Sequence, residues 1–139
     1  MKIFIKLALL ACFVSFAFCN TSDPEFEKLY QVKHIKEGDG KSFPPAGTQV
    51  TVHYTGYFPD TGKKFDSSLD RQRPFTFILR QGQVIKCWDE VVSKMSLGEK
   101  ISVVCPFNLA YGQRGAGSVI PPNTDIAFDI ELLNFSGDL

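Results

Sequence analysis

The chain has 139 residues, 44% of them hydrophobic and 13% aromatic, and its 15 basic side chains are matched by 15 acidic ones. One ordinary domain fits that length, with little room for a second. Balanced charge without a basic block excludes a phosphate-backbone binder, and 22% charged residues beside so much apolar content exclude a disordered chain.

Met1 to Cys19 reads as a secretory signal peptide. Lys2 and Lys6 form a positive end, and Leu7 to Cys19 is an apolar run broken only by Ser15. Ala17 and Cys19 flank Phe18 in the small-x-small pattern that places cleavage after Cys19. As a helix the run covers about 20 Å, short of a hydrocarbon core of about 30 Å, so a removed leader is favoured over an uncleaved anchor. Lipid attachment at Cys12 is disfavoured, because it would leave Phe13 to Phe18 as an apolar stub. Cleavage removes four Phe, two Cys and two Lys, leaving 13 basic and 15 acidic side chains and a net charge near −2. What remains is large enough to bury one core without cysteine staples.

Residues 20–28, with Pro24 among polar neighbours, are expected to be a flexible lead-in, and residues 29–136 to be the domain. Leu29 to Ile35 reads as a strand ended by Glu37-Gly38-Asp39-Gly40, and Lys41 to Gly47 as a Pro-containing loop. Thr48 to Tyr57 is β-branched and aromatic, with Val50, Val52 and Tyr54 on one face and His53 on the other. Pro59 to Gly62 is a turn, Lys64 to Asp66 a short extended piece, and Pro74 to Leu79 a strand. Trp88, Val91, Val92 and Met95 fall at i, i+3, i+4 and i+7 and predict the one helix, with Gly98 as its stop. Glu99 to Cys105 and Asp125 to Phe135 are further strands, separated by a long Gly/Pro loop of the kind that is usually functional or disordered. The sum is an α+β fold, an antiparallel sheet over one helix.

Cys87 and Cys105 each sit inside an apolar element. An oxidising compartment permits a disulfide between them, but buried free cysteine is a common small core residue, and the weight falls on two free thiols. With no CxxC and only His34 and His53 as further ligands, no zinc site is expected. Asn20-Thr21-Ser22 and Asn134-Phe135-Ser136 match the N-glycosylation pattern. The catalytic templates GxSxG, GxxxxGK[ST] and HExxH are absent, and Asp89-Glu90 at the helix start are accounted for by the helix dipole.

Seven segments, in order, resemble the FKBP family of peptidyl-prolyl isomerases. They are Val52 to Gly56, Gly62 to Ser68, Pro74-Phe75, Gly82 to Lys86 with Trp88-Asp89-Glu90, Ala110 to Gly112, Ile120 to Pro122, and Phe128 to Leu133. The resemblance implies a five-to-six-stranded antiparallel half-barrel wrapped around the short helix, with an apolar pocket between them. It implies Trp88 as the pocket floor, and Tyr54, Phe65, Phe75, Val84, Ile85 and Phe128 as its walls. Tyr111 and the Ile85 N–H would hold substrate carbonyls, Asp66 would be the polar group at the mouth, and Ile120 would close one side. Tyr54, Phe65, Asp66, Trp88, Tyr111 and Phe128 are thus the catalytic set, with Phe75, Val84, Ile85 and Ile120 binding substrate. The expected partners are proline-containing polypeptides and the macrolides tacrolimus and rapamycin, with no cofactor, no metal and no nucleic acid. Cys87 stands where the family typically has Gly, and Gly115-Ala116-Gly117-Ser118 lacks the His-Pro often found there.

The expected form is a monomer without a membrane span, in the secretory pathway: exported, or in the endoplasmic reticulum or periplasm. The terminal Ser136-Gly137-Asp138-Leu139 is not a KDEL-type signal, which tilts towards export. The alternative function is a binding or chaperone module on the same fold.

Overall fold

A computed structural model describes residues 23–136. The leader with its cleavage site, the Asn20 sequon and the last three residues lie outside that range. The elements in chain order are helix α1 (Pro24–Tyr30), strands β1 (Lys33–Lys36), β2 (Gln49–Tyr57), β3 (Lys64–Ser67) and β4 (Phe75–Ile78), helix α2 (Lys86–Ser93), and strands β5 (Lys100–Cys105) and β6 (Ile126–Phe135). A 3-10 turn over Phe107–Leu109 follows β5.

The strands form one six-stranded antiparallel sheet in the order β1-β5-β6-β2-β3, with β4 also paired to β2. This is the expected FKBP-like α+β architecture. Strand β2 is its centre because its residues alternate: Val50 and Val52 are fully buried, and Thr51 and His53 turn to the other face. One edge of β2 runs along β6. The other is divided, residues 49–52 pairing with β4 and residues 55–57 with β3. At the division, Ser68 closes the gap, its Oγ accepting from the Tyr54 N–H at 2.8 Å and its N–H donating to the Tyr54 carbonyl at 3.0 Å. Buried Ser68 also pairs with His53 Nδ1 at 2.8 Å on the face away from Tyr54, as the alternation predicts.

Helix α2 lays Trp88, Val91 and Val92 against the inner sheet face, where they join Val50, Val52, Ile101, Val103, Ile130 and Leu132 in the core. Met95 is buried beyond the helix end, and Gly98, at φ +84, shapes the turn into β5 rather than the helix stop.

Two expectations are corrected. The lead-in is a helix from Pro24 onward, not a frayed segment. Asp23 caps it by accepting from the Glu25 N–H at 3.1 Å, Pro24 occupies its first turn, and Glu25 and Glu27 meet the positive end of the dipole. Tyr30, which it carries, is fully buried and donates to Glu90 of α2, while Lys94 sits 4.1 Å over the Phe26 ring. The strand expected from Leu29 accordingly starts only at Lys33. Secondly, Cys87 and Cys105 are joined in a disulfide, with Cα atoms 5.8 Å apart, and are not free thiols. Burial and apolar neighbours suit a free cysteine and a disulfide equally, so the sequence pattern could not separate the two. Among the described residues no helix is long and apolar enough to cross a membrane, and no cluster of His, Cys, Asp or Glu could hold a metal.

Candidate functional site

Between α2 and the inner face of the sheet lies a cleft of about 170 Å³, lined by Tyr54, Phe65, Asp66, Phe75, Gln83, Val84, Ile85, Trp88, Tyr111 and Phe128. Tyr54 reaches it from β2 at the point where the sheet divides, Phe65 and Asp66 from β3, Phe75 from β4, Trp88 from α2 and Phe128 from β6. Nine of these ten residues are those the sequence assigns to a pocket.

The floor is a set of edge-to-face rings. Trp88 stands 4.9 Å from Tyr54 at 78°, 5.2 Å from Phe128 at 82° and 5.9 Å from Phe75 at 76°. Such geometry brings positive ring edges to negative faces and adds about 0.5–1.5 kcal/mol per pair beyond burial. Phe77 packs behind, 5.9 Å from Trp88 and 5.8 Å from Phe75. The Trp88 indole N–H is buried with no acceptor among the described residues. The absence of a side chain at Gly56 makes the wall possible: a Cβ there would lie 2.6 Å from Phe65 Cζ and 2.9 Å from Phe128 Cε1. Phe65 and Phe128 meet over that glycine at 5.9 Å.

The mouth is polar. The Tyr54 hydroxyl donates to Asp66 Oδ2 at 2.5 Å, and Arg71 donates to the Tyr54 oxygen at 2.9 Å and to Asp66 Oδ1. Burial alone would raise the Asp66 pKa, but the hydrogen bonds from Tyr54 and Arg71 outweigh it and hold the carboxyl below its ordinary range. Burial, then the Asp66 bond, pushes the Tyr54 phenol up. Burial, then the charge of Asp66, does the same to Tyr111. Tyr111 is 39% exposed, and its hydroxyl has no hydrogen-bond partner among the described residues. The Ile85 N–H is equally free, because Ile85 is the N-cap of α2, ahead of the first helical bonds. The cleft therefore combines an apolar aromatic floor with two uncommitted donors at its rim.

Ile120 is not in the lining. Backbone bonds in both directions with Ala116, at 2.9 and 3.1 Å, fold it into a tight loop, and its side chain joins the core at 3% exposure. Two residues in the site were given no role from sequence. Gln83 ties the loop before α2 to β4 by accepting from the Ile78 N–H at 2.9 Å, and Arg71 organises the mouth. Both lie in turns, where no periodicity marks a side chain's direction. Asp89, read as a dipole partner, also accepts from the Arg80 N–H at 2.8 Å and so pins the same loop.

The profile of the FKBP-type peptidyl-prolyl cis-trans isomerases matches residues 40–133. Over 103 residues the chain is 50% identical to the peptidyl-prolyl cis-trans isomerase Fkbp12 of Drosophila melanogaster, covering 74% of this chain and 94% of that one. The chain belongs to the FKBP-type family of peptidyl-prolyl cis-trans isomerases. FK506-binding protein 1 of Debaryomyces hansenii is 50% identical over 104 residues, 75% of this chain and 92% of its own length. FK506-binding protein 1 of Saccharomyces cerevisiae is 48% identical over 103 residues, 74% and 90% of the two chains. As an FKBP-type protein, this chain is an isomerase of X–Pro bonds.

Proposed function

We propose that isomerisation takes place in the Trp88 cleft, and that the substrate proline ring rests on the indole. The observation that carries this reading is the pairing of six aromatic residues around one cleft with two free donors, the Tyr111 hydroxyl and the Ile85 N–H. Rotation of an X–Pro amide faces a barrier of about 18–20 kcal/mol, because resonance is lost at the twist. A planar amide is more dipolar than a twisted one. Transfer into an apolar, water-poor cleft therefore raises the planar form relative to the twisted form. Each 1.4 kcal/mol or so of that difference is worth about tenfold in rate.

The Tyr111 hydroxyl and the Ile85 N–H hold the carbonyls that flank the rotating bond, and bonds that fit the rotated geometry best add differential binding. Asp66, kept ionised by Tyr54 and Arg71, closes the mouth and does not exchange protons during turnover. No nucleophile, metal or redox group is needed for a rotation. The same cleft takes tacrolimus (FK506) and rapamycin, a reading supported by relatives named FK506-binding proteins. The ten lining residues already supply floor, walls and rim donors, and on this reading a single copy of the chain suffices for the rotation.

The clients are proline-containing polypeptides of the secretory pathway. The apolar leader with its small-x-small site supports this location, as does the Cys87–Cys105 disulfide, a bond that persists in oxidising compartments. Mass spectrometry of the mature protein should find its amino terminus at Asn20; an intact Met1 to Cys19 contradicts the location. For the site, Trp88→Leu should lower kcat/KM on a Leu-Pro or Phe-Pro peptide by roughly tenfold or more while circular dichroism stays native. A folded Trp88→Leu protein with undiminished kcat/KM would place the reaction elsewhere.

A further inference from the structure

The geometry points to the Cys87–Cys105 disulfide as a positioning element for the isomerase site, setting Trp88 against Tyr111. The inference rests on the Trp88 cleft being that site. Cys87 directly precedes Trp88 in the first turn of α2, and Cys105 is the last residue of β5. Both are fully buried, so the bond lies inside the core and not on a surface loop.

Two further features give the bond this role. The first turn of α2 has no side-chain cap, because Ile85 occupies the N-cap and its side chain has no acceptor. The turn that carries the floor is thus anchored at its second residue by a covalent tie. On the other side, a short hydrogen-bonded segment leads from Cys105 to Tyr111. Pro106 starts the 3-10 turn over Phe107–Leu109, the Gly112 N–H bonds back to the Phe107 carbonyl at 2.7 Å, and the Phe107 N–H bonds to Asp125 at 2.8 Å. The bond therefore joins the strut beneath the proline ring to the strut that carries the rim hydroxyl. Its loss leaves the aromatic floor intact, so ground-state binding survives, while the spacing that matters in the twisted state relaxes.

The test uses two forms of the full mature chain. In one, Cys87→Ala and Cys105→Ala are combined. In the other, the wild-type chain is refolded with excess dithiothreitol and assayed in it. The dithiol supplies two electrons and two protons, the S–S bond becomes two S–H groups, and dithiothreitol closes to its cyclic disulfide. The reduced wild type keeps both side chains and loses only the bond, so it decides the matter if the alanine pair does not fold.

Both forms are assayed well below their melting temperatures on a Leu-Pro peptide. Emission from Trp88, the chain's single Trp, follows peptide binding. The expected result is a kcat lower by roughly tenfold, with KM and the peptide-induced emission change within about threefold of the oxidised enzyme. An unchanged kcat in a bond-free form that has only a lower melting temperature overturns the inference and leaves the site intact. If the oxidised enzyme turns over peptide with no change in Trp88 emission, the Trp88 cleft is not the site and the inference falls with it.

Discussion

Tyr54 and Asp66 meet at the mouth of the cleft through one hydrogen bond of 2.5 Å, with Arg71 donating to both. Tyr54 thereby belongs to two structures at once. Its ring, 4.9 Å from Trp88, is part of the apolar floor, and its hydroxyl is part of the polar rim. The carboxylate beside the apolar floor is tolerated because Tyr54 and Arg71 both donate to it and its side chain still reaches solvent.

Tyr54→Phe keeps the ring and removes the donor. Asp66 then retains Arg71, so the expected loss is about 1 kcal/mol of transition-state stabilisation, a severalfold drop in kcat/KM. Asp66→Asn should cost more, since it removes the negative charge that both Tyr54 and Arg71 bond and so weakens two charge-assisted contacts at once. Steady-state kinetics of the two variants, side by side, checks the order; a larger loss in Tyr54→Phe contradicts it.

The pKa shifts predict a flat pH–rate profile. Asp66 is held below its ordinary 3.8, so it stays ionised from neutral pH down through the weakly acidic range. Tyr54 and Tyr111 are raised above 10.0, so both stay protonated on the alkaline side. Between about pH 5 and about pH 9, kcat/KM should be constant. The depressed Asp66 contributes stability that is present above its unfolded-state value and is lost as pH falls through its folded-state value. Acid unfolding of Asp66→Asn should therefore be less steep than that of the wild type below about pH 4.

Gly56→Ala places a methyl group where Phe65 and Phe128 now close over the strand, 2.6 and 2.9 Å from their nearest carbons. Overpacking of this kind costs about 1–3 kcal/mol, and here the displaced atoms are cleft wall. Both the urea midpoint and kcat/KM should fall. A loss of stability with full activity would show that the two rings shift without disturbing the site.

Reduction of Cys87–Cys105 opens a covalent loop with a sequence separation of 18. In the chain-entropy account a loop of that size is worth about 3 kcal/mol, read as a lower guanidinium midpoint under dithiothreitol. An unchanged midpoint would mean that the unfolded chain is not constrained by the bond.

The legible parts of the fold were those with a period. Alternation at Val50, Val52 and Tyr54 marked β2, and the stripe of Trp88, Val91, Val92 and Met95 marked α2. Helix α1 escaped because its seven residues are too few and too polar to show a stripe, although Asp23-Pro24-Glu25 carried a cap, a first-turn proline and an acidic start. The disulfide was illegible for a different reason. Residues 87 and 105 meet only through the packing of α2 against the end of β5, and no local pattern reports that approach. At the site, the ordered motifs named nine lining residues. Arg71 was missed because its partners lie across a turn, and Ile120 lies outside the lining, in the core cluster that also holds Trp88 and Phe128.

The central claim is that the bond rotates while the proline ring rests on Trp88. The most direct measurement is NMR on a Leu-Pro peptide in catalytic exchange, recording cis–trans exchange and intermolecular Overhauser contacts in one sample. Proline ring protons should show contacts to the indole protons of Trp88 and the rings of Tyr54 and Phe128 while exchange proceeds. Enzyme-dependent exchange with no proline contact to any of these three rings would contradict it.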